Sequence, residues 1–222
     1  MPTVESVRMF RGPVCPLGRD GEGKVESSGG RWDAGIIRNA AVITRGEAMG
    51  HGLWIDAVML KQTAKGINSD SPVARYTHPS FSDSIGTVLG RWTAARVDGD
   101  KVRADLHFLS SARKAPGGNY LDYILSLAEE DPASFGVSIA FAGDYEAESA
   151  FVKANLDKKG KFQSPDSENK DNLPHARISL LTAADLVGEP AANPSGLFHK
   201  PLSPKGPTWK QRRNARAIAL DK

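Results

Sequence analysis

A serine lies in the middle of an apolar run in the segment FGVSIAF, residues 135–141. If this segment is a strand, alternate side chains point to opposite faces, and the larger ones form a core face of Phe135, Val137, Ile139 and Phe141. The other face carries only Gly136, Ser138 and Ala140, so a second backbone could approach one exposed hydroxyl. The pattern suits a serine nucleophile, and it also suits a serine that only bonds to a neighbouring loop.

A serine nucleophile needs a base within hydrogen-bond reach, because its hydroxyl is nearly unreactive on its own. Of the five histidines, His78 stands out in the segment VARYTHPSFSDSIGTV. This stretch is turn-rich and comes just before a predicted strand, where a side chain can face a cleft. We therefore take His78 as the candidate general base, although an ordinary surface histidine also fits that position.

Other hydrolytic chemistries lack their usual motifs. The sequence has no HExxH, no paired cysteine motif and no phosphate-binding GxxxxGK[ST] loop. The stretch GVSIA resembles GxSxG, but in α/β-hydrolases that serine sits on a sharp turn between a strand and a helix. Here the apolar alternation runs straight through Ser138, so the hydrolase interpretation is disfavoured, and no cofactor is expected.

The composition is that of a globular protein. Hydrophobic residues make up 40% of the 222 residues and charged residues 25%. No apolar run approaches the roughly 18 residues of a membrane span, and the N-terminus does not resemble a signal peptide, so we expect a cytoplasmic protein. The single cysteine, Cys15, has no partner for a disulfide or a metal site, and we interpret it as incidental.

The first half of the chain contains several predicted elements. Residues 1–33 read as a flexible N-terminal arm, followed by a strand in AGIIRNAAVIT. A short helix is predicted in WIDAVMLKQTAKG, with Asp56 as its cap, Val58 and Leu60 on its apolar side and Gly66 as its end. Two strands, SIGTVLGRWTAARV and KVRADLHFL, are joined by Asp98 and Gly99, which favour a tight hairpin.

The second half continues with a helix and two polar segments. NYLDYILSLAEEDP predicts a helix capped by Asn119, with an apolar stripe of Leu121, Ile124, Leu125 and Ala128. Residues 153–172 are mostly charged or polar and predict a mobile insertion. Residues 199–222 carry seven lysines and arginines against one aspartate, a net charge of +6 in a chain whose total is +3, and form a basic C-terminal tail.

The order of these segments resembles the prohead serine proteases of tailed bacteriophages. The resemblance covers residues 36–198 and rests on RYTHPSFSDSIGTVLG, the charged hairpin, the helix, DPASFGVSIAF and ADLVGEPAANPSGLF. It matches His78 to the family's histidine and Ser138 to its nucleophile. It implies an α+β fold similar to that of herpesvirus assemblin, a mostly antiparallel β-barrel flanked by short helices, with the protease domain spanning residues 34–198.

The third member of the catalytic triad should orient His78 through its far ring nitrogen. We assign Asp185 in TAADLVGEP, because the family resemblance continues there and the segment looks like a strand end. A role as a turn cap explains Asp185 equally well, and Glu189 and His107 are the alternatives. Backbone N–H groups or Arg177 could supply the oxyanion hole.

The resemblance implies a serine endopeptidase that works inside an assembling procapsid in the host cytoplasm. Its partners would be the major capsid protein precursor or scaffold, and itself as a self-cleaving substrate; a homo-oligomer stays open, and no membrane partner is expected. The alternative function is a catalytically inactive scaffold or capsid-interaction protein of the same fold. Nucleic-acid binding is not the leading interpretation, because the basic tail is short and poor in aromatic residues.

Overall fold

The computed structural model describes residues 8–10, 25–26, 35–48, 51–78 and 85–187. The long strands are β3 (Ile36–Thr44), β7 (Val88–Asp98), β8 (Lys101–Phe108), β9 (Gly136–Gly143) and β10 (Ile178–Val187). The short ones are β1 (Arg8–Phe10), β2 (Val25–Glu26), β4 (Gly46–Ala48), β5 (Leu53–Ile55) and β6 (Val73–Arg75). Three α-helices accompany them: α1 (Ala57–Asp70), α2 (Tyr120–Glu130) and α3 (Tyr145–Ala154).

Eight of these strands form one curled sheet in the order β1-β9-β10-β6-β7-β8-β3-β2. Most neighbours are antiparallel, but β6 and β10 are parallel, so the sheet is mixed. The fold is therefore α+β, as predicted. The expected closed antiparallel barrel is wrong for the described residues, because β1 and β2 end the sheet as separate edges and its six main strands curl into a half-barrel.

The core lies between the curled sheet and helices α1 and α2. In β8 the alternate apolar residues Val102, Ala104, Leu106 and Phe108 are all buried, and Arg103 between them is buried as well. In α2 the predicted cap and stripe are confirmed: Asn119 accepts a hydrogen bond from the Asp122 backbone, and the stripe is buried. In both elements the apolar residues recur at the period of the secondary structure, so they lie on one face, and that face is buried.

Helix α1 differs from its prediction at one end. Asp56 caps it as expected, by accepting hydrogen bonds from the backbone N–H groups of Val58 and Met59. The helix continues through Gly66 and ends where Ser71 takes a left-handed conformation, with φ of 43°. Its buried side is Met59, Leu60, Thr63, Ala64 and Ile67, whereas Val58 is exposed. A glycine inside a helix costs only about 1 kcal/mol, which the packing of this buried side offsets.

The N-terminal arm predicted to be flexible contributes two short strands, and one helix was not predicted at all. Within residues 1–33, β1 pairs with β9 and β2 pairs with β3. Helix α3, which no sequence pattern had indicated, leads into the polar segment that begins near residue 153. The tail from residue 199, together with Cys15, lies outside the described residues. Among the described helices, none is long and apolar enough to span a membrane.

The β7–β8 hairpin gives a test of the packing. A side-chain carbon added at Gly90 would lie 2.0 Å from the backbone carbonyl oxygen of His107, so the strands would have to separate. We expect Gly90→Ala to lower the free energy of unfolding by about 2–3 kcal/mol, the usual cost of overpacking a tight site. Urea denaturation would measure it.

Gly143→Ala is the matched control, because an added carbon there meets its nearest neighbour at an ordinary 3.7 Å. This control should unfold near the wild-type midpoint. Equal losses of unfolding free energy in the two variants would show that the close approach of the strands at Gly90 does not cause the destabilisation.

Candidate active site

Ser138, His78 and Asp185 lie in one hydrogen-bonded row. The Nε2 atom of His78 is 2.8 Å from Oγ of Ser138, and its Nδ1 atom is 2.8 Å from Oδ2 of Asp185. An ionised carboxylate can only accept hydrogen bonds, so Nδ1 carries the proton and Nε2 presents a lone pair to the serine hydroxyl. This is the arrangement in which an imidazole can take a proton from a serine as it attacks a carbonyl.

The sheet order produces this row. Ser138 on β9 and Asp185 on β10 are direct partners in the antiparallel register, so their side chains leave the same side of the sheet. Strand β6 lies on the other side of β10, and the chain turns from its end to place His78 over both strands. Three neighbouring strands therefore each contribute to the site, although their residues are up to 110 positions apart.

The backbone just before His78 has an unusual conformation. Thr77 has φ of 65°, a region that β-branched residues rarely adopt. Its backbone N–H donates to the carbonyl of Leu186 at 2.7 Å, which ties this turn to β10 one residue beyond Asp185. Such a conformation persists only where surrounding contacts hold it, and here it directs His78 toward Ser138.

Arg75 holds Asp185 from the other side. Its backbone N–H donates to Oδ1 of Asp185 at 3.1 Å, and its guanidinium lies 3.6 Å from Oδ2. The Asp185 side chain has no exposed surface, so a charge there requires these donors in addition to His78. Sequence reasoning missed Arg75; its position three residues before His78 was the available signal.

Trp92 fixes the strand that carries Asp185. It is completely buried on β7, and its indole N–H donates to the carbonyl oxygen of Ala184 at 2.6 Å. The contact reaches across β6 to the residue just before Asp185. This hydrogen bond holds the β10 backbone next to an irregularity in the β9–β10 register between Leu181 and Ala183.

The serine is more enclosed than its sequence pattern indicated. Ser138 has no exposed surface, and the His78 side chain is 10% exposed. The expectation of an exposed hydroxyl is therefore wrong. β9 is flanked by β10 on one side and by β1 along part of the other, and the imidazole lies at hydrogen-bonding distance from Oγ.

The remaining candidates lie elsewhere. His107 is on β8, three strands away from β10, which excludes it as the third member of this row. Arg177 precedes β10 by one residue and is eight residues from Asp185, which is about 26 Å along a strand. Its guanidinium binds Asp56 at 2.9 Å and 3.2 Å, so the suggestion that it supplies the oxyanion hole is wrong. Glu189 lies outside the described residues.

A second row of a serine, a histidine and an aspartate occurs outside the site around Ser138. Nδ1 of His175 is 2.7 Å from Oδ2 of Asp56, and its Nε2 is 2.8 Å from Oγ of Ser164. Asp56 also caps α1 and binds Arg177, while Ser164 Oγ accepts the backbone N–H of Asp166. Every member thus has a structural partner, and we interpret this row as a clamp between α1 and the loop of residues 155–177.

The electrostatics of the clamp support that interpretation. Burial alone would raise the pKa of Asp56, but hydrogen bonds from His175 and the Met59 backbone and the charge of Arg177 leave it lowered. In the same loop, the hydrogen bond from Arg45 is the largest of the effects that lower the pKa of Asp166 to about 2. Residues 153–172, predicted to be a mobile insertion, thus include Asp166, which forms an ion pair with Arg45. Asp166 also accepts a hydrogen bond from the Trp54 indole N–H at 2.8 Å.

No protein-family model, curated protein or solved structure matches this chain. In the part of the chain that the structure describes, no cluster of three or more histidine, cysteine or carboxylate side chains could hold a metal ion.

The Arg75 contact gives a testable prediction. If His78 acts as a general base, we expect Arg75→Gln to reduce kcat of the reaction it serves about tenfold, equivalent to about 1.4 kcal/mol, with little change in KM, because Asp185 would orient His78 less well. The Nδ1–H resonance of His78 in the proton NMR spectrum should shift or broaden in the same variant. Arg75→Lys should restore part of both signals.

Arg91→Gln is the control. Arg91 is an exposed residue of the neighbouring strand β7 whose guanidinium bonds to the carbonyl of Ser71. It should leave kcat and the His78 resonance unchanged. An Arg75→Gln variant with wild-type kcat and an unaltered resonance would exclude a positioning role.

Proposed function

We propose that this protein is a serine endopeptidase in which Ser138 is the nucleophile, His78 the general base and Asp185 the group that orients His78. The supporting observation is the continuous row of hydrogen bonds, 2.8 Å from Ser138 to His78 and 2.8 Å from His78 to Asp185. The sequence pattern points to the same three residues as the geometry, which makes a chance cluster a poor explanation.

The reaction would proceed by acyl transfer. Nε2 of His78 takes the proton of Ser138 as Oγ attacks the peptide carbonyl, and the imidazolium formed is stabilised by Asp185. His78 then gives that proton to the leaving amine, and an acyl-enzyme remains on Ser138. His78 next activates a water molecule that attacks the ester, which releases the second product and restores the serine hydroxyl.

The proposed biological role follows from the sequence resemblance. The substrate would be scaffold or the precursor of the major capsid protein, and the protease itself, within a phage procapsid in the host cytoplasm. An assemblin-like fold is part of the same proposal, and the curled, largely antiparallel sheet with helices beside it is compatible with a partly opened relative of that barrel. The basic tail would promote incorporation into the procapsid.

One observation favours a second function. Ser138 is fully buried, so a peptide reaches Oγ only after neighbouring groups move. A permanently closed site would make the chain an inactive scaffold or capsid-interaction protein that keeps the protease residues. The two functions differ in whether the hydroxyl of Ser138 is needed for any processing of the capsid precursor.

The two serine rows allow a matched test. Ser138→Ala should abolish cleavage of the co-expressed capsid precursor and of the protease itself, because it removes the nucleophile. It should leave the fold intact, since one hydroxyl removed beside small residues creates almost no cavity. Gel electrophoresis of the co-expressed proteins would show both effects.

Ser164→Ala is the control, because it removes from the clamp a serine that likewise bonds to a histidine held by an aspartate. It should retain processing. Full processing by Ser138→Ala would overturn the serine mechanism, and loss of processing only in Ser164→Ala would move the active site to the clamp.

A further inference from the structure

A pocket of about 450 Å³ opens between α2, the residues that precede β9 and the C-terminal end of β10. Its walls are mostly apolar and aromatic: Tyr76, Tyr123, Ile124, Leu127, Phe135, Leu186 and Val187. Its polar groups are Thr77, Asp131 and Ser134, and among the residues that the structure describes no lysine or arginine lines it. Pockets of this size with a few polar groups at apolar walls are typical of sites that enclose a ligand group.

The pocket adjoins the candidate active site through three segments. Thr77 immediately precedes His78, and Leu186 immediately follows Asp185. Val187 is the register partner of Gly136, which is two residues before Ser138 on β9. Two residues of a strand span about 7 Å, so the pocket begins within the reach of one substrate side chain from Oγ of Ser138.

We propose that this pocket binds a large apolar side chain of the substrate, at a position within two residues of the bond that is cleaved. The inference rests on the proposed endopeptidase function and adds its substrate class: peptides with leucine, methionine or phenylalanine near the scissile bond. The occupant is a peptide that crosses Ser138 in extended form, because only an extended chain brings successive side chains to the spacing of the strand.

The walls determine the choice of side chain. Apolar surface buried against Ile124, Leu127 and Phe135 favours binding in proportion to its area, so alanine gains much less than leucine or phenylalanine. The carboxylate of Asp131 disfavours an acidic side chain. Tyr76, stacked on Tyr120 with ring centroids 4.6 Å apart, provides a rigid wall that limits how far the pocket can adapt.

Tyr123 is the residue best suited to test the pocket. It lines the pocket from α2 and is 53% exposed, so its truncation should not unfold the helix. Tyr145 on α3 is the matched control, because it is also an exposed tyrosine, at 37%, and does not line the pocket.

The experiment is digestion of a synthetic decapeptide library by the full-length protein, with the products sequenced by mass spectrometry. We expect one position within two residues of the cleaved bond to be enriched in leucine, methionine and phenylalanine, and depleted in alanine and glutamate. Tyr123→Ala should lower kcat/KM for an enriched peptide about tenfold and leave its alanine-substituted analogue unchanged. Tyr145→Ala should behave as the wild type.

The outcomes separate this proposal from the one on which it rests. If wild type and Ser138→Ala gave the same products, the endopeptidase function and the pocket proposal would both fail. If only wild type cleaved the library but showed no apolar preference near the bond, or preferred lysine or arginine there, the pocket assignment alone would be wrong. Equal losses in Tyr123→Ala and Tyr145→Ala would likewise exclude the pocket.

Discussion

The hydrogen bond between the carboxylate of Asp185 and Nδ1 of His78 is the constraint on which the rest of the site depends. Asp185 is completely buried, and an unpaired charge there would cost several kcal/mol. The fold surrounds it with donors from three directions: the backbone and the guanidinium of Arg75, and the ring of His78. Once these are in place, the imidazole has one orientation, and its second nitrogen meets Ser138.

The mixed sheet supplies the positions that this constraint requires. Ser138 and Asp185 are cross-strand partners, and the parallel pairing of β10 with β6 brings Arg75 to the other side of the carboxylate. A purely antiparallel order that separated β6 from β10 would remove two of the donors of Asp185. The open, mixed topology is therefore part of how the site is assembled, and it also explains why Trp92 is placed to hold the Ala184 carbonyl.

Local patterns predicted the elements that bury one face. The hairpin at Asp98 and Gly99 and the helix capped by Asn119 follow from turn preference and periodicity, and both are confirmed. The sequence did not indicate that the loop of residues 155–177 is held in place. Its charged residues are typical of a solvated segment, and the residues that bind Asp166, Arg45 and Trp54, are over a hundred positions away. The barrel expectation came from resemblance, and strand order depends on long-range pairing that no local pattern specifies.

The two serine–histidine–aspartate rows show why hydrogen-bond geometry alone does not identify a nucleophile. Their distances are nearly equal, and each aspartate also contacts an arginine. The clamp differs in that Asp56 caps a helix and Ser164 accepts a loop amide. The row at Ser138 is distinguished by its place on adjoining strands and by the pocket beside it. Its chemical character is thus inferred from context as well as from distance.

Covalent labelling measures the reactivity of the Ser138 hydroxyl directly. The full-length protein would be treated with a fluorophosphonate, which modifies serines activated by a neighbouring base, and the adduct located by peptide mass spectrometry. We expect one adduct, on Ser138, that disappears in His78→Ala and persists in His175→Ala. An adduct on Ser164, or labelling of Ser138 that does not depend on His78, would contradict this expectation.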